Sequence, residues 1–562
     1  MFGGLKQQVT ARLPESTLLR LVRFRNGELG WQVSTAARLR SLSGRQANGM
    51  HWAGRHLIPH VVHEYDAHQH RRDTARAIGV ALDGAGVAYV VLPATHESPV
   101  QIAVAEEDRP RATAALVAGL AGPGWAVAPP VSPARGWAGV GMPLCEPAGR
   151  AELDSSAHCI LFRQVAAPDG TVVNDAGTGI PLDFWRTVTR EDEPRVDGGM
   201  FEPGTRIASD EDNAVTGYLS PGAWEEAVHS PAHWPAAAGK PSVFQVREPI
   251  DVVYTWVDGD DPAWRARKAA VSSPEEAAEL NRTAVHPSRF ASRDELRYSL
   301  RSVAMYANWV RRIYLVTDQQ VPPWLDTSHP KIQVVDHKQI FSDPSVLPVF
   351  NSHAIESQLH HIENLSDRYL YLNDDVFFGR LVQPELFFEA NGLSYFFLSK
   401  GTLDIDPPSS RDLPVMSAAK RNRALIEERF GVTVTHKFKH TPIAQQRTVL
   451  EEMEKQYPEL FAQVARSRFR HPDDYSITSA LHHYYAYNLG RAVPGRIRYA
   501  YQDIARPDTE RRLTNLLRTR DYDVFCLNDH ETAESDVQSQ KRILADFLPR
   551  YFPLPSPFEK AS

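Results

Sequence analysis

Beyond residue 250 the chain repeats one pattern of hydrophobic and polar positions. Short runs of β-formers, apolar at nearly every position, each stop on an acid: Asp251 to Val257 on Asp258, Ile313 to Thr317 on Asp318, Ile332 to Val335 on Asp336, and Tyr369 to Asn373 on Asp374 and Asp375. Runs without polar alternation suit strands covered on both faces. Between them the period changes. Leu296, Leu300, Val303, Ala307 and Val310 keep a helical spacing over Arg293 to Val310, with Ser292 and Glu295 as a capping-box pair. Ile355, Leu359 and Ile362 share one face over Ser352 to Leu365. Alternating strands and helices predict an α/β domain on a mostly parallel sheet with helices on both faces, and such sheets bind ligands outside the carboxyl ends of their strands. The acids are predicted to stand at that edge.

The earlier part of the chain reads differently. Residues 77–245 mix apolar runs (Val87 to Leu92, Gln101 to Ala105, Cys159 to Phe162) with Ala-rich and Pro/Gly-rich text, which predicts a smaller α/β or α+β accessory region. Ser230 to Lys240, SPAHWPAAAGK, supplies no core and reads as a linker, so a boundary is predicted near 245. The organisation expected is a leader over 1–76, the accessory region over 77–245, the main α/β domain over 250–530 and a C-terminal tail over 531–562.

Charge changes this picture at one end. The 562-residue chain has a formal charge of -7, yet residues 1–76 hold 12 Lys and Arg against 5 Asp and Glu. A basic leader could touch anionic lipid or an acidic polymer, but a solvated helix face explains it as well and is the favoured reading. No run of eighteen apolar residues occurs, and Met1 to Gln32 lacks the apolar core of a signal peptide. A cytoplasmic location is therefore expected, with at most a peripheral contact at the inner face of the membrane. No nucleic-acid partner is expected. Cys145, Cys159 and Cys526 are too scattered for a disulfide framework or a CxxC metal site and read as reduced thiols.

A row of carboxylates on one sheet edge repels itself unless a cation lies among them, and Asp and Glu oxygens are the hard ligands that Mg²⁺ or Mn²⁺ prefer. A single Asp at a strand end is more often a cap or turn former. Four in register weaken that explanation. Asp374 and Asp375 interrupt an otherwise apolar run, where unpartnered burial is costly, so a metal or substrate role is expected there.

The texts DVVYTWVDGDDPAW (Asp251 to Trp264), RFASRDELRYSLRSVAMYANWVRRIYLVTDQQVPPWL (Arg289 to Leu325), FNSHAIESQL (Phe350 to Leu359), LYLNDDVFFG (Leu370 to Gly379), FRHPDDYSITSALHHYYAY (Phe469 to Tyr487) and CLND (Cys526 to Asp529) resemble, in order, the conserved regions of the Stealth family. That family includes bacterial capsular and exopolysaccharide phosphotransferases and the animal enzyme that places N-acetylglucosamine-1-phosphate on lysosomal mannose. The resemblance spans about 250–530. It implies a nucleotide-sugar-binding fold of the Rossmann or GT-A-like kind, a UDP-sugar donor, a polysaccharide or glycan acceptor, and Mg²⁺ or Mn²⁺. In the implied reaction the acceptor hydroxyl attacks the phosphorus adjoining the donor sugar, a sugar-1-phosphate moves, and UMP leaves.

Particular residues are implied too. Catalytic weight falls on Glu356, Asp375, His440 of His440-Thr441-Pro442, and Arg470. Substrate contacts are expected from Tyr254, Trp256, Asp258, Asp318 and Arg297, and metal contacts from Asp374, Asp375 and Asp529. The chemistry is compatible: attack on a diphosphate needs phosphoryl charge neutralised and the nucleophile deprotonated, which an Arg fork and a His near neutral pKa supply.

Read without the resemblance, Arg470 would be an ion-pair partner of Asp473 or Asp474, and His440 a surface histidine. Pro472 to Gly490 reads as a helix with Pro at N1, whose His482, His483, Tyr484, Tyr485 and Tyr487 line a core or groove. His436 and His440 would form half a zinc site only on a helix, which Pro442 disfavours. Two other functions stay open: a metal-dependent GT-A-type glycosyltransferase, which releases UDP, and a non-enzymatic nucleotide-sugar-binding protein.

Overall fold

The computed structural model describes residues 50–561 apart from 53–54, 96–97, 131–140, 191–192, 196–197, 210–214, 235–238, 272–289, 291, 410 and 530–536. Most of the basic leader, residues 1–49, lies outside the described residues.

Helix α1 (Ala67–Gly84), capped by the Asp66 carboxylate, which accepts from the His68 and Gln69 amides, runs across the boundary expected at 76 and joins the end of the leader to the accessory region. The apolar runs seen in the sequence are strands. Ile180–Thr187 pairs parallel with Gln101–Ala105 and antiparallel with His158–Arg163 in a mixed sheet. This region does not end as a separate body near 245. Tyr65, Ala67, Val165, Ala167 and Val173 share a buried cluster with Tyr306, Ala307 and Val310 of the main domain. Asn308 donates to the Asp66 carboxylate, and His68 Nε2 lies 3.3 Å from the Tyr306 carbonyl.

The main domain is built on strands β1 (Ile250–Thr255), β2 (Ile313–Thr317), β3 (Ile332–Asp336), β4 (Arg368–Asn373) and β5 (Ile443–Gln446), in the order β3-β2-β1-β4-β5. The first four are parallel and β5 runs antiparallel to β4. Both faces are covered, which explains the missing polar alternation. Val252, Tyr254, Leu315, Leu370 and Leu372 enter one core, and Val253, Tyr314, Val316, Tyr369 and Tyr371 enter the other. After β1 the chain builds outward to β3 and returns to the other side for β4, so a crevice opens at the carboxyl ends of β1 and β4.

The helices agree with the sequence in position more than in extent. Helix α2 (Glu295–Tyr306) buries Leu296, Leu300 and Val303 as expected, but the capping pair differs. Asp294 holds the N-cap position with φ 68° and makes no side-chain cap, while Glu295 Oε2 accepts from the Arg293 amide at 2.5 Å. The helix expected over Ser352 to Leu365 is broken: α3 (Ser352–Glu356) stops at Glu356 and a 3₁₀ turn, Leu359–His361, follows. The long helix expected from Pro472 begins late. Asp474 accepts from the His471 amide and from Asn351 Nδ2, holding a turn there, and a π turn (Ile477–Leu481) then leads into α5 (His482–Asn488), with α4 (Arg447–Gln456) packed nearby.

The segment 531–562 is not a tail where it is described. Helix α6 (Val537–Tyr551) buries Leu544, Phe547, Leu548 and Tyr551 in the main core, joined by Phe552 and Phe558. Its Glu559 accepts from Arg297 at 2.6 Å and Arg301 at 2.7 Å. Apolar side chains at helical spacing, together with a buried carboxylate that two guanidiniums neutralise, hold the segment down. Among the described residues no helix is long and apolar enough to cross a membrane.

Candidate active site

A cavity of about 1200 Å³ opens at the β1/β4 crevice. Trp256, Asp318, Glu356, Asp374, Asp375, His440, Arg470 and Asp529 all line it, although they come from segments far apart in the chain. The register of the sheet accounts for much of this. Thr255 of β1 lies beside Asn373 of β4 and Val316 of β2, so the residues that follow each strand meet at one edge.

The strand-end acids divide into two kinds. Asp336 caps a short helix with Gln339 in a full capping box, and Asp258 Oδ1 accepts from the Asp260 amide in a turn. Those two do the work expected of a lone Asp at a strand end. Asp318 lines the cavity but is bound by Arg267 Nε at 2.8 Å. The Asp375 carboxylate instead meets only side chains among the described residues, and that of Asp374 caps nothing beyond its own amide.

Asp375 is held from three sides. Asn528 Nδ2 donates to its Oδ2 at 2.9 Å, Cys526 Sγ lies 3.4 Å away, and His440 Nε2 lies 3.4 Å from Oδ1. Burial pushes this carboxyl up, but His440, Asn528 and Cys526 outweigh burial and hold it below its ordinary value. The imidazole responds in kind: burial lowers its pKa and Asp375 raises it further, for a net rise. Asn373 Nδ2 lies 2.9 Å from His440 Nε2, and Tyr371 Oη donates to Asn373 Oδ1 at 2.9 Å. His440 is thus placed by β4 itself. His436 sits in a short strand, His436–Phe438, and shares no helix with it.

Glu356, at the end of α3, is almost fully buried and accepts from Tyr371 Oη at 3.2 Å and Ser479 Oγ at 2.5 Å. Arg470 donates to Ser352 Oγ at 2.7 Å. Neither acid that could have paired with it does so, since Asp473 is engaged by Arg421, and Asp474 by Asn351 and the His471 amide. Burial lowers the Arg470 pKa against the field of Glu356, and its Nε is buried without a partner. A guanidinium kept this way is an anion site in waiting.

Asp374 shows the opposite sign. Burial, Glu295 and Asp375 together push its carboxyl well above the ordinary range. Arg293 offsets this only in part, being engaged by Asp529 at 2.6 Å and Glu295 at 3.5 Å. Uncompensated carboxylates beside one committed guanidinium are a donor set suited to a hard divalent cation.

The structure leaves three expected residues outside this cavity. Tyr254 is in the core below it, bonded to Ser299 at 2.7 Å; Arg297 is held by Glu559; Asp258 faces a neighbouring cavity. Conversely Arg293, Glu295, Asn373, Asn528 and Ser479 line the site and were not singled out for it. All five lie inside the motif texts quoted above, which was the available signal. His482 and His483 are buried and neutral, burial lowering the first to about 3.

Comparison with known proteins gives a consistent set. Family models described as Stealth protein conserved regions 1, 2, 3 and 4 match residues 248–273, 289–396, 439–487 and 514–562. The fourth match runs through α6, in keeping with its place in the core. The exopolysaccharide phosphotransferase SCO6023 of Streptomyces coelicolor is 42% identical over 506 residues, 87% of this chain and 82% of that protein. A second from the same organism, SCO2594, is 40% identical over 90% of this chain and 86% of its own length. The exopolysaccharide phosphotransferase CpsY of Mycobacterium tuberculosis is 42% identical over 58% of this chain and 61% of its own. Among solved structures, the galactosyltransferase LgtC overlaps 53% of this chain and 95% of its own at 12% identity and a TM-score of 0.27, which adds nothing to the topology described above.

Proposed function

Because the chain belongs to the Stealth family, we propose that it is an exopolysaccharide phosphotransferase moving a sugar-1-phosphate from a UDP-sugar to a hydroxyl of an acceptor glycan. One observation carries this reading: Arg470 is half-buried beside Glu356 and His440, its Nε wholly enclosed, with no carboxylate within 4.0 Å among the described residues. Such a guanidinium calls for an anionic ligand, and a diphosphate presents the matching oxygens.

The acceptor hydroxyl gives its proton to the His440 imidazole as its oxygen bonds to phosphorus, and the bond from phosphorus to the UMP oxygen breaks. Asp375 stabilises the imidazolium that forms. Arg470 meets the negative charge on the phosphoryl oxygens and on departing UMP, and Glu356, fixed by Tyr371 and Ser479, holds the field around that guanidinium. Asp374 and Glu295, with Asp529 beside them, are the residues that would hold Mg²⁺ or Mn²⁺, which would neutralise diphosphate charge. Asp375, committed to His440, Asn528 and Cys526, serves the base. Residues 77–245 are assigned to holding or recruiting the acceptor, since among the described residues none before Thr255 lines the cavity.

Incubation with a panel of UDP-sugars, Mg²⁺ and sized glycan acceptors tests this, both products being identified by mass. UMP with a phosphodiester-linked product is expected. Released UDP would mark a glycosyltransferase instead, and binding without turnover a nucleotide-sugar-binding protein.

A further inference from the structure

A second cavity, of about 470 Å³, lies against the first on the other side of the loop that follows β1. Trp256 and Arg293 line both, so the two share a wall, in which Arg293 is held by Asp529 and Glu295. We infer that this second cavity binds a terminal, uncharged sugar of the acceptor glycan, an inference that rests on the phosphotransferase reading above.

Three half-buried aromatic side chains from three separate segments surround it: Trp256 after β1, Tyr298 on α2 and Trp324 after β2. Two are backed by cations. The Arg297 guanidinium lies 5.8 Å from the Trp324 ring and the Arg301 guanidinium 4.9 Å from the Tyr298 ring, and both are fixed by Glu559. A guanidinium over a ring restrains it, and both of these rings line the cavity. Flat apolar rings of this kind take the C–H face of a pyranose.

The polar groups choose between ligands. Asp260 is paired with Arg265 and lies 3.8 Å from Lys541, and Arg293 is taken by Asp529, which leaves Asp258 and Asp294 facing the cavity with no salt bridge among the described residues. The excess is negative. Carboxylates accept hydrogen bonds from sugar hydroxyls, but they repel phosphate or a uronic acid. The nucleotide diphosphate therefore belongs in the larger cavity with Arg470, and a neutral saccharide in this one. Asp294 supports the assignment from its backbone. It occupies an N-cap position yet caps nothing, and it is held at φ 68° on the rim. Its carboxylate makes no cap bond and can accept from a ligand hydroxyl, with Arg297 as its nearest cationic influence.

Saturation-transfer NMR on the full chain, with UDP-N-acetylglucosamine and neutral di- to tetrasaccharides of glucose, galactose, mannose and N-acetylglucosamine as probes, tests this. At least one saccharide should receive saturation from the wild-type protein. Trp324→Ala should lose the saccharide signal and keep that of uridine. Asp294→Asn tolerates the same backbone and removes the charge, and it should weaken the saccharide about tenfold, the scale of one charge-assisted hydrogen bond. The proposal is overturned if no saccharide binds, if its signal survives both substitutions, or if Trp324→Ala abolishes the uridine signal instead, which would put the nucleobase here. Trp324-dependent saccharide binding without UMP formation from any UDP-sugar would sink the phosphotransferase reading and leave this sugar site standing.

Discussion

Arg470 donates to Ser352 Oγ at 2.7 Å, and that hydroxyl is the one side-chain partner it has among the described residues. A half-buried cation with an enclosed Nε normally sits on a carboxylate; this one rests on a neutral hydroxyl that a phosphate oxygen can replace or join. The pairing costs the folded protein stability and pre-orients the guanidinium.

Arg470→Lys keeps the charge and loses the planar fork, so kcat/KM should fall by about 2 to 4 kcal/mol of transition-state stabilisation. Arg470→Met should abolish transfer while the melting temperature holds or rises, because the Glu356 carboxylate keeps its bonds to Tyr371 and Ser479 and no salt bridge is broken. A clear drop in melting temperature in that variant would make Arg470 a structural ion.

The Asp374 carboxyl is held up by burial, Glu295 and Asp375. Added Mg²⁺ should therefore raise the melting temperature of the wild-type protein. Asp374→Asn should be as stable as wild type without metal, or more so, and its melting temperature should not respond to Mg²⁺. Exhaustive chelation should stop transfer, with Mg²⁺ or Mn²⁺ restoring it. Undiminished turnover after chelation would remove the metal from the scheme.

Behind α3, His361 lies 2.8 Å from Glu454 on α4 and 2.8 Å from the Ile340 carbonyl, with His360 and Glu451 close by. Burial lowers the His361 pKa, but Glu454 and that carbonyl outweigh it, for a net rise; Glu454, opposed by burial and favoured by both histidines, falls to about 2. A raised histidine contributes stability that is complete below about pH 6.5 and is lost as pH climbs through the folded value. A depressed glutamate contributes above about pH 4.3 and loses it only as pH falls through about 2. The difference in melting temperature between wild type and His361→Gln should thus be largest near pH 5.5 and shrink toward pH 8.5. A difference that does not vary with pH would show that His361 acts by packing alone.

A chain starting near Val243 keeps every described residue that lines either cavity, so it should still bind UDP-sugar. It also loses Tyr65, Ala67, Val165 and Val173 from the shared core and the Asp66 contact to Asn308, so it should melt at a lower temperature. If it is folded by circular dichroism and binds no UDP-sugar, the accessory region takes part in the site after all.

The parallel strands were legible because both faces of each are covered, which writes unbroken apolar runs into Ile250–Thr255 and Arg368–Asn373. The motif texts likewise carried Glu356, Asp375, His440 and Arg470, which the fold does bring to one cavity. Extents were less legible. Nothing local shows that Glu356 ends its helix, that Asp474 delays another, or that α6 is core, because each depends on partners far along the chain: Ser479, Asn351 and the Phe525 cluster. The same holds for charge. Asp258, Asp318, Asp336 and Asp375 look alike as acids after apolar runs, and only the tertiary structure separates a turn, an ion pair with Arg267, a helix cap and a histidine's partner. A residue's type and spacing are local properties of the chain, whereas the role of a carboxylate is set by the donors and cations within a few ångströms of it, and those arrive from elsewhere.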